Sequence, residues 1–176
     1  MIHMGTITLI TGGARSGKSM QALKLALPYQ RKFFVATGEA LDDEMSARIE
    51  FHRTTRPTDF QTVEEPVNVV ATLANLGERA DLVVLDCLTL WVSNLMQGYG
   101  SDDGPVLAEA DRLAAALKSA SFASIVVTDE VGSGIVPTDH AESRRFRDLL
   151  GWTNQKIATA ADAVILMVAG YPVKVK

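Results

Sequence analysis

The sequence holds a single cysteine, Cys87, which excludes an intramolecular disulfide framework and points to a reducing compartment. Long apolar runs are missing too: the longest are strand-sized, well below the roughly 18 residues that a membrane helix needs. There is no basic excess. Seventeen Lys and Arg stand against 21 Asp and Glu, a net charge of −4, and no Lys/Arg-rich run is present, so a nucleic-acid partner has no electrostatic support. Residues Met1–Gly5 lack the charged-then-apolar pattern of a signal peptide, and the cytoplasm is the expected location. No repeat, low-complexity tract or linker divides the chain. What is there is ordinary globular material, 176 residues of which 47% are apolar and 22% charged. That is enough for one sizeable core and short for two, so one α/β domain over residues 1–176 is expected.

Strand-length apolar runs alternate with longer amphipathic segments. Strands are expected at Ile7–Thr11, Phe33–Thr37, Phe60–Val63, Leu82–Asp86, Ser124–Thr128, Ala163–Val168 and Val173–Lys176. Helices are expected at Lys18–Leu27, Asp42–Thr54 (capped by Asp42 or Asp43), Pro66–Leu76, Leu88–Met96, Pro105–Ala120 and Asp139–Ala161, the last with a possible bend at Gly151. The breaker-rich stretch Gln97–Gly104 and the segment Gly132–Pro137 read as loops, and Gly170-Tyr171-Pro172 as a turn. Continuous Val/Ile/Leu strands between helices imply a mainly parallel sheet with helices on both faces, and the short final turn implies an antiparallel C-terminal edge strand.

The most specific chemical signal follows the first strand. Gly12-Gly13-Ala14-Arg15-Ser16-Gly17-Lys18-Ser19 leaves a β-branched strand and opens a helix, which is the context a P-loop requires. Its glycines let backbone N–H groups turn inward around a phosphate, and the helix N-terminus adds its positive end. Lys18 supplies a charge for the β- and γ-phosphates, and Ser19 a hydroxyl for Mg²⁺. A cradle of this kind works with an acid at the end of a buried strand that orients the metal. Asp86 ends one such strand, and Asp129 and Glu130 follow another. Strand C-termini of an open parallel sheet face the ligand crevice, so both positions qualify; Asp86 is favoured, with Asp129/Glu130 as the alternative. Cys87 reads as a small buried hydrophobe rather than a reactive thiol.

A P-loop alone fits many functions. The helix Asp42–Thr54 narrows the class, because Arg48 and His52 are four residues apart and share a face, with Arg53 and Arg56 following. An imidazole among arginines suits a polyphosphate, and the positive surroundings favour its neutral, nucleophilic form. Spacing alone leaves open that His52 is a solvated surface residue.

Four strings, TGGARSGKS, LDDEMSARIEFHRTTRP, TDEVGSGIVP and NQKIATAADAVILMVAGYPVKVK, resemble the bifunctional adenosylcobinamide kinase/adenosylcobinamide-phosphate guanylyltransferases of cobalamin assembly. They stand in that family's order, from the first strand to the last residue. The resemblance implies a RecA-like P-loop fold in a homotrimer. It places the guanylylated histidine on His52. It places nucleotide-binding segments on Gly12–Ser19, on Ala36-Thr37-Gly38 and on Arg53-Thr54-Thr55-Arg56, and two further nucleotide-contacting acids on Glu64 and Asp86. Relatives often carry Glu at the last position; Asp86 keeps the charge and shortens the reach by one methylene.

Two reactions are implied. Adenosylcobinamide takes the γ-phosphoryl group of ATP or GTP on its aminopropanol hydroxyl, with Mg²⁺ as cofactor and Lys18 and the P-loop amides stabilising the transferred charge. Then His52 attacks the α-phosphate of GTP, and adenosylcobinamide-phosphate displaces it from the GMP. The sequence names no base for the hydroxyl. Because a P-loop holds the β- and γ-phosphates while His52 must reach the α-phosphorus, its helix is expected to move inward on GTP binding. Gly38 and Thr54-Thr55-Arg56-Pro57 would serve as its hinges. A monofunctional small-molecule kinase and a RecA-type nucleotide-dependent switch are the competing readings.

Overall fold

The computed structural model describes residues 5–39, 43–55, 57–134 and 140–176, without the side chains of residues 44, 45, 48, 51, 52 and 55. In chain order the elements are β1 (Ile7–Gly12), α1 (Lys18–Ala26), β2 (Lys32–Ala36), α2 (Asp43–Thr55), β3 (Phe60–Glu64), α3 (Val69–Leu76), β4 (Leu82–Asp86), α4 (Leu88–Tyr99), α5 (Asp103–Ser119), β5 (Ala123–Val127), α6 (Ala141–Ala160), β6 (Ala163–Val168) and β7 (Tyr171–Lys174). The strands form one sheet in the order β3-β2-β4-β5-β1-β6-β7. Every neighbouring pair is parallel except β6 and β7, so the antiparallel strand expected at the C-terminal edge is present.

Burial follows the sequence pattern. On one face Leu73, Trp91, Leu95, Leu113, Leu149 and Ile157, from α3 to α6, pack on Leu9, Val35, Val83, Leu85 and Val126 of the sheet. On the other, Ala22 and Ala26 of α1 pack on Ile10, Phe34, Val84 and Ile125. A central strand buried on both faces can have no polar alternation, which is why β4 reads as an unbroken apolar run until Asp86. Each buried Leu or Val contributes roughly 1.5–3 kcal/mol relative to exposure.

Several element boundaries differ from expectation, and local contacts account for the larger shifts. The helix expected from Pro66 begins at Val69, because the Glu65 carboxylate accepts the N–H groups of Val67 and Asn68 at 3.0 and 2.7 Å and holds a turn ahead of it. The expected loop Gln97–Gly104 shrinks: α4 continues to Tyr99, and the Asp102 side chain caps α5 by accepting the N–H of Gly104 at 3.0 Å. Helix α6 continues through Gly151. The final turn uses Ala169 and Gly170, both at positive φ (50° and 86°) as in tight hairpin turns, so β7 starts at Tyr171 rather than Val173. The capping expected of Asp42, the start of the last helix at Asp139 and residues 135–137 of the expected loop lie outside the described residues. Among the described residues no helix is long and apolar enough to cross a membrane.

Register sets the functional edge. Ala36 lies opposite both Glu64 and Asp86, Asp86 opposite Val127, and Ile10 opposite Val127. The C-terminal ends of β3, β2, β4, β5 and β1 therefore come level, and the segments that follow them share one rim.

Candidate active site

The loop from Gly12 to Ser19 is shaped by its backbone. Gly12 has φ 150°, and a Cβ there would stand 2.6 Å from the Met167 carbonyl oxygen and 2.8 Å from Ser16 Oγ. Only glycine fits so close an approach. Gly17 ends the loop at φ 98° and serves as the N-cap of α1; Arg15 also has positive φ, 56°. Gly13, Ala14 and Arg15 are exposed, whereas Ser16 and Lys18 are buried. The loop is tied down from outside by Gly170, whose N–H donates to the Ser16 carbonyl at 3.0 Å, and by Glu130, whose N–H donates to the Gly12 carbonyl at 3.0 Å. Ser16 Oγ is buried with no partner among the described residues, as befits a hydroxyl in a loop built around another polar group.

Two carboxylates face this loop from neighbouring strands, and they meet different partners. Lys18 Nζ donates to the Gly13 carbonyl at 2.6 Å and pairs with Asp129 Oδ1 at 2.7 Å. Ser19 Oγ donates to Asp86 Oδ2 at 3.3 Å. The sequence left Asp86 and Asp129/Glu130 as alternatives; the geometry separates them. Asp86 is beside the hydroxyl, Asp129 is beside the lysine, and Glu130 turns away. Glu130 accepts the N–H groups of Gly132 and Ser133 at 2.9 and 3.0 Å, and its bonding to Ser133 holds its carboxyl below the ordinary range.

The end of β2 is joined to the end of β4. Thr37, fully buried, donates its hydroxyl to the Cys87 carbonyl at 2.7 Å and accepts the Cys87 N–H at 2.9 Å. Asn94, also buried, donates to the Thr37 and Pro66 carbonyls at 2.8 and 3.0 Å. Of the expected segment Ala36-Thr37-Gly38, the Thr37 side chain is therefore committed to holding two strand ends together. Gly38 lies where a Cβ would meet Leu90 at 3.3 Å and Ile49 at 3.5 Å, so its lack of a side chain lets α2 come close. The Cys87 thiol packs on the apolar cluster beneath α1; desolvation first, then the Asp86 charge, pushes its pKa up to about 12. It is no nucleophile at neutral pH.

Helix α2 leaves the same rim after β2 and carries His52 on its last turns. The His52, Arg48 and Thr55 side chains, and all of Arg56, lie outside the described residues. Arg53 pairs with Glu64 at 3.6 Å with both side chains more than half exposed, which brings together two of the residues expected at the nucleotide. Thr54 donates to the Glu50 carbonyl of its own helix at 3.0 Å. His140 occupies the N-cap position of α6 without a side-chain capping bond.

One participant escaped the sequence reading. Asn154 of α6 accepts the Thr128 hydroxyl at 2.7 Å and donates to the Asp129 carbonyl at 3.2 Å, while the Asp129 N–H donates to Thr89 Oγ1 at 2.9 Å. A helix interior gives no hint of such a role; the only available signal was an amide on the helix following an acid-bearing loop.

The donor set suits a small, hard cation. A hydroxyl and a carboxylate, with phosphate oxygens and waters completing the shell, is the usual Mg²⁺ arrangement, whereas a metal caged by protein alone needs more ligands. Among the described residues no group of three His, Cys, Asp or Glu side chains gathers as such a cage.

A Gly-rich loop at a helix start, faced by acids on the adjoining strand ends of a parallel sheet, defines a P-loop protein of RecA-like fold. Two solved structures share that fold: a type III secretion system ATPase (TM-score 0.62, 12% identity, 93% of this chain and 51% of that one) and the RadB recombinase (TM-score 0.54, 17% identity, 93% and 74%). At such identities the likeness concerns the fold alone. The chain belongs to the cobinamide kinase / cobinamide phosphate guanyltransferase family, whose model matches residues 8–175. It is 40% identical to the bifunctional adenosylcobalamin biosynthesis protein CobU of Escherichia coli over 96% of this chain and 98% of that protein. To the corresponding CobP of Pseudomonas aeruginosa it is 41% identical over 96% of each.

Proposed function

We propose that one domain, residues 1–176, both phosphorylates adenosylcobinamide with ATP or GTP and transfers GMP from GTP to the resulting phosphate. Family membership over nearly the whole chain supports the pair of activities. The observation that carries the reading is local: the acid that meets Ser19, Asp86, ends the strand beside β2, and β2 leads into the helix bearing His52. Phosphate-binding groups and a histidine-bearing helix thus rise from adjacent strands.

In the kinase step the P-loop amides and Lys18 hold the β- and γ-phosphates and stabilise charge on the group in transit. Ser19 and Asp86 would hold Mg²⁺, which when bound neutralises the phosphate oxygens. In the transfer step His52 attacks the α-phosphorus of GTP, the bond to the bridging oxygen breaks, and pyrophosphate leaves with that electron pair. A phosphate oxygen of adenosylcobinamide-phosphate then displaces the imidazole and completes adenosylcobinamide-GDP. Arg53, Thr54, Thr55, Arg56 and Glu64, with Ala36, Thr37 and Gly38, line the nucleotide's path, and α2 moves inward to bring His52 to the α-phosphorus. The exposed apolar strip Val168, Tyr171, Val173 and Val175 at the β6–β7 edge supports self-association as a homotrimer. The single cysteine supports a cytoplasmic setting.

The decisive experiment is incubation with α-labelled GTP followed by denaturation. Label is expected to stay on the protein, to survive base and to be lost in mild acid, as a phosphoramidate requires, and γ-label is not expected to be retained. An unlabelled protein, or one retaining γ-label, overturns the histidine mechanism.

A further inference from the structure

The kinase step needs somewhere for the substrate's hydroxyl proton to go, and the two acids of the rim are not equivalent. Asp86 is beside Ser19, on the side where a metal would sit. Asp129 is one hydrogen bond, 2.7 Å, from the ammonium of Lys18, the group that reaches the β- and γ-phosphates, and its side chain is 28% exposed and so within reach of solvent. A carboxylate so close to that ammonium stands at the γ-phosphate end of the cradle.

The local construction around Asp129 exceeds what a simple counter-ion needs. Its N–H is held by Thr89, its carbonyl by Asn154, the preceding Thr128 hydroxyl by Asn154, and the following N–H by the Gly12 carbonyl. Thr128 is fully buried. The peptide is thus clamped from α4, α6 and β1 at once, and the point from which the Lys18-paired carboxylate projects is set relative to the P-loop. Rigid placement of this kind is what proton transfer in a transition state demands.

Resting on the kinase reading above, we propose that Asp129 is the proton acceptor of the kinase step. Its carboxylate takes the proton of the aminopropanol hydroxyl as that oxygen bonds to the γ-phosphorus. The bond from the γ-phosphorus to the β,γ-bridging oxygen breaks, and the nucleoside diphosphate leaves with the electron pair. The nucleotide's phosphates compete with Asp129 for Lys18, so binding of the phosphoryl donor releases the carboxylate for its task. Guanylyl transfer makes no such demand: its attacking group is a phosphate already ionised, and its first nucleophile is a neutral imidazole.

The test compares the two reactions in Asp129→Asn, with the folded state checked by thermal unfolding. Kinase turnover is read with adenosylcobinamide, γ-labelled ATP and Mg²⁺. Transfer is read with adenosylcobinamide-phosphate supplied directly and α-labelled GTP. The ratio of kinase to transfer kcat is expected to fall about 100-fold or more, within the usual worth of a general base. If Asp129 serves only to anchor Lys18, both reactions fall together and the ratio stays within tenfold, which overturns the proposal. Should the amide variant not fold, Asp129→Glu replaces it: the charge beside Lys18 is kept, the oxygens are displaced by one methylene, and the ratio is expected to fall at least about tenfold. An unchanged ratio in that variant is equally fatal. Wild-type protein that phosphorylates no adenosylcobinamide would sink the proposed function itself, whereas active wild type with an unmoved ratio sinks only the assignment of Asp129.

Discussion

In the cradle, the phosphate-facing side chains and the loop backbone are held by neighbours: Lys18 by Gly13 and Asp129, Ser19 by Asp86, the loop by Gly170 and Glu130. In α2, on the same rim, the contacts described include an exposed pair, Arg53–Glu64, and the approach of Ile49 to Gly38. An exposed pair of that kind contributes about 0–1 kcal/mol. The contrast matches the chemistry asked of each part. Both reactions need phosphates held in one place, so the cradle is preorganised. Only one reaction needs the α-phosphorus, and under the proposed mechanism the helix bearing His52 is the part that must supply its nucleophile.

The largest effect should come from the shared part. Lys18→Ala is expected to lower both activities by on the order of 10³-fold or more, because each transition state loses the same charge. Activity assays on protein with a cooperative unfolding transition check this; retained kinase turnover would mean that the cradle has been misassigned. His52→Ala attacks the other side of the comparison. It should cost the transferase several orders of magnitude and abolish the acid-labile GMP adduct, while phosphorylation of adenosylcobinamide persists. A mutant that still forms the adduct moves the nucleophile elsewhere.

Smaller effects sharpen the division within the cradle. Asp86→Asn keeps volume and removes charge, so the Mg²⁺ concentration for half-maximal turnover should rise about 10- to 100-fold. Nucleotide binding measured without metal should change little, and unchanged metal dependence would refute the role given to Asp86. Asn154→Ala removes the partner of a fully buried hydroxyl and should lower stability by about 1–3 kcal/mol. Urea titration is the check, with a lower midpoint and an unaltered slope expected.

The smallest effect concerns Cys87. Its folded-state pKa is raised from 9.0 to about 12, so its contribution to stability is complete below pH 9 and is lost as the pH rises toward 12. Native protein at pH 8 should resist iodoacetamide, whereas urea-unfolded protein should be alkylated promptly, as mass spectrometry would show. Fast native alkylation would place the thiol at the surface.

The P-loop and its flanks were legible because local rules write them: a β-branched strand, glycines where φ turns positive, a lysine at a helix start. The parallel sheet was legible because strands buried on both faces carry no polar alternation. Boundaries at Val69, Asp103 and Tyr171 were misplaced where a single side chain, Glu65 or Asp102, or a two-residue turn overrode propensity. The two acids were visible as candidates, yet nothing in the spacing of Asp86 and Asp129 tells which meets Ser19 and which meets Lys18. That depends on strand order: β5 lies between β4 and β1, so residues 67 and 111 positions away along the chain arrive at one loop. Sequence determined which groups the protein could use. Tertiary structure decided which of them touch, because hydrogen bonds and ion pairs act over a few ångströms and are blind to distance along the chain.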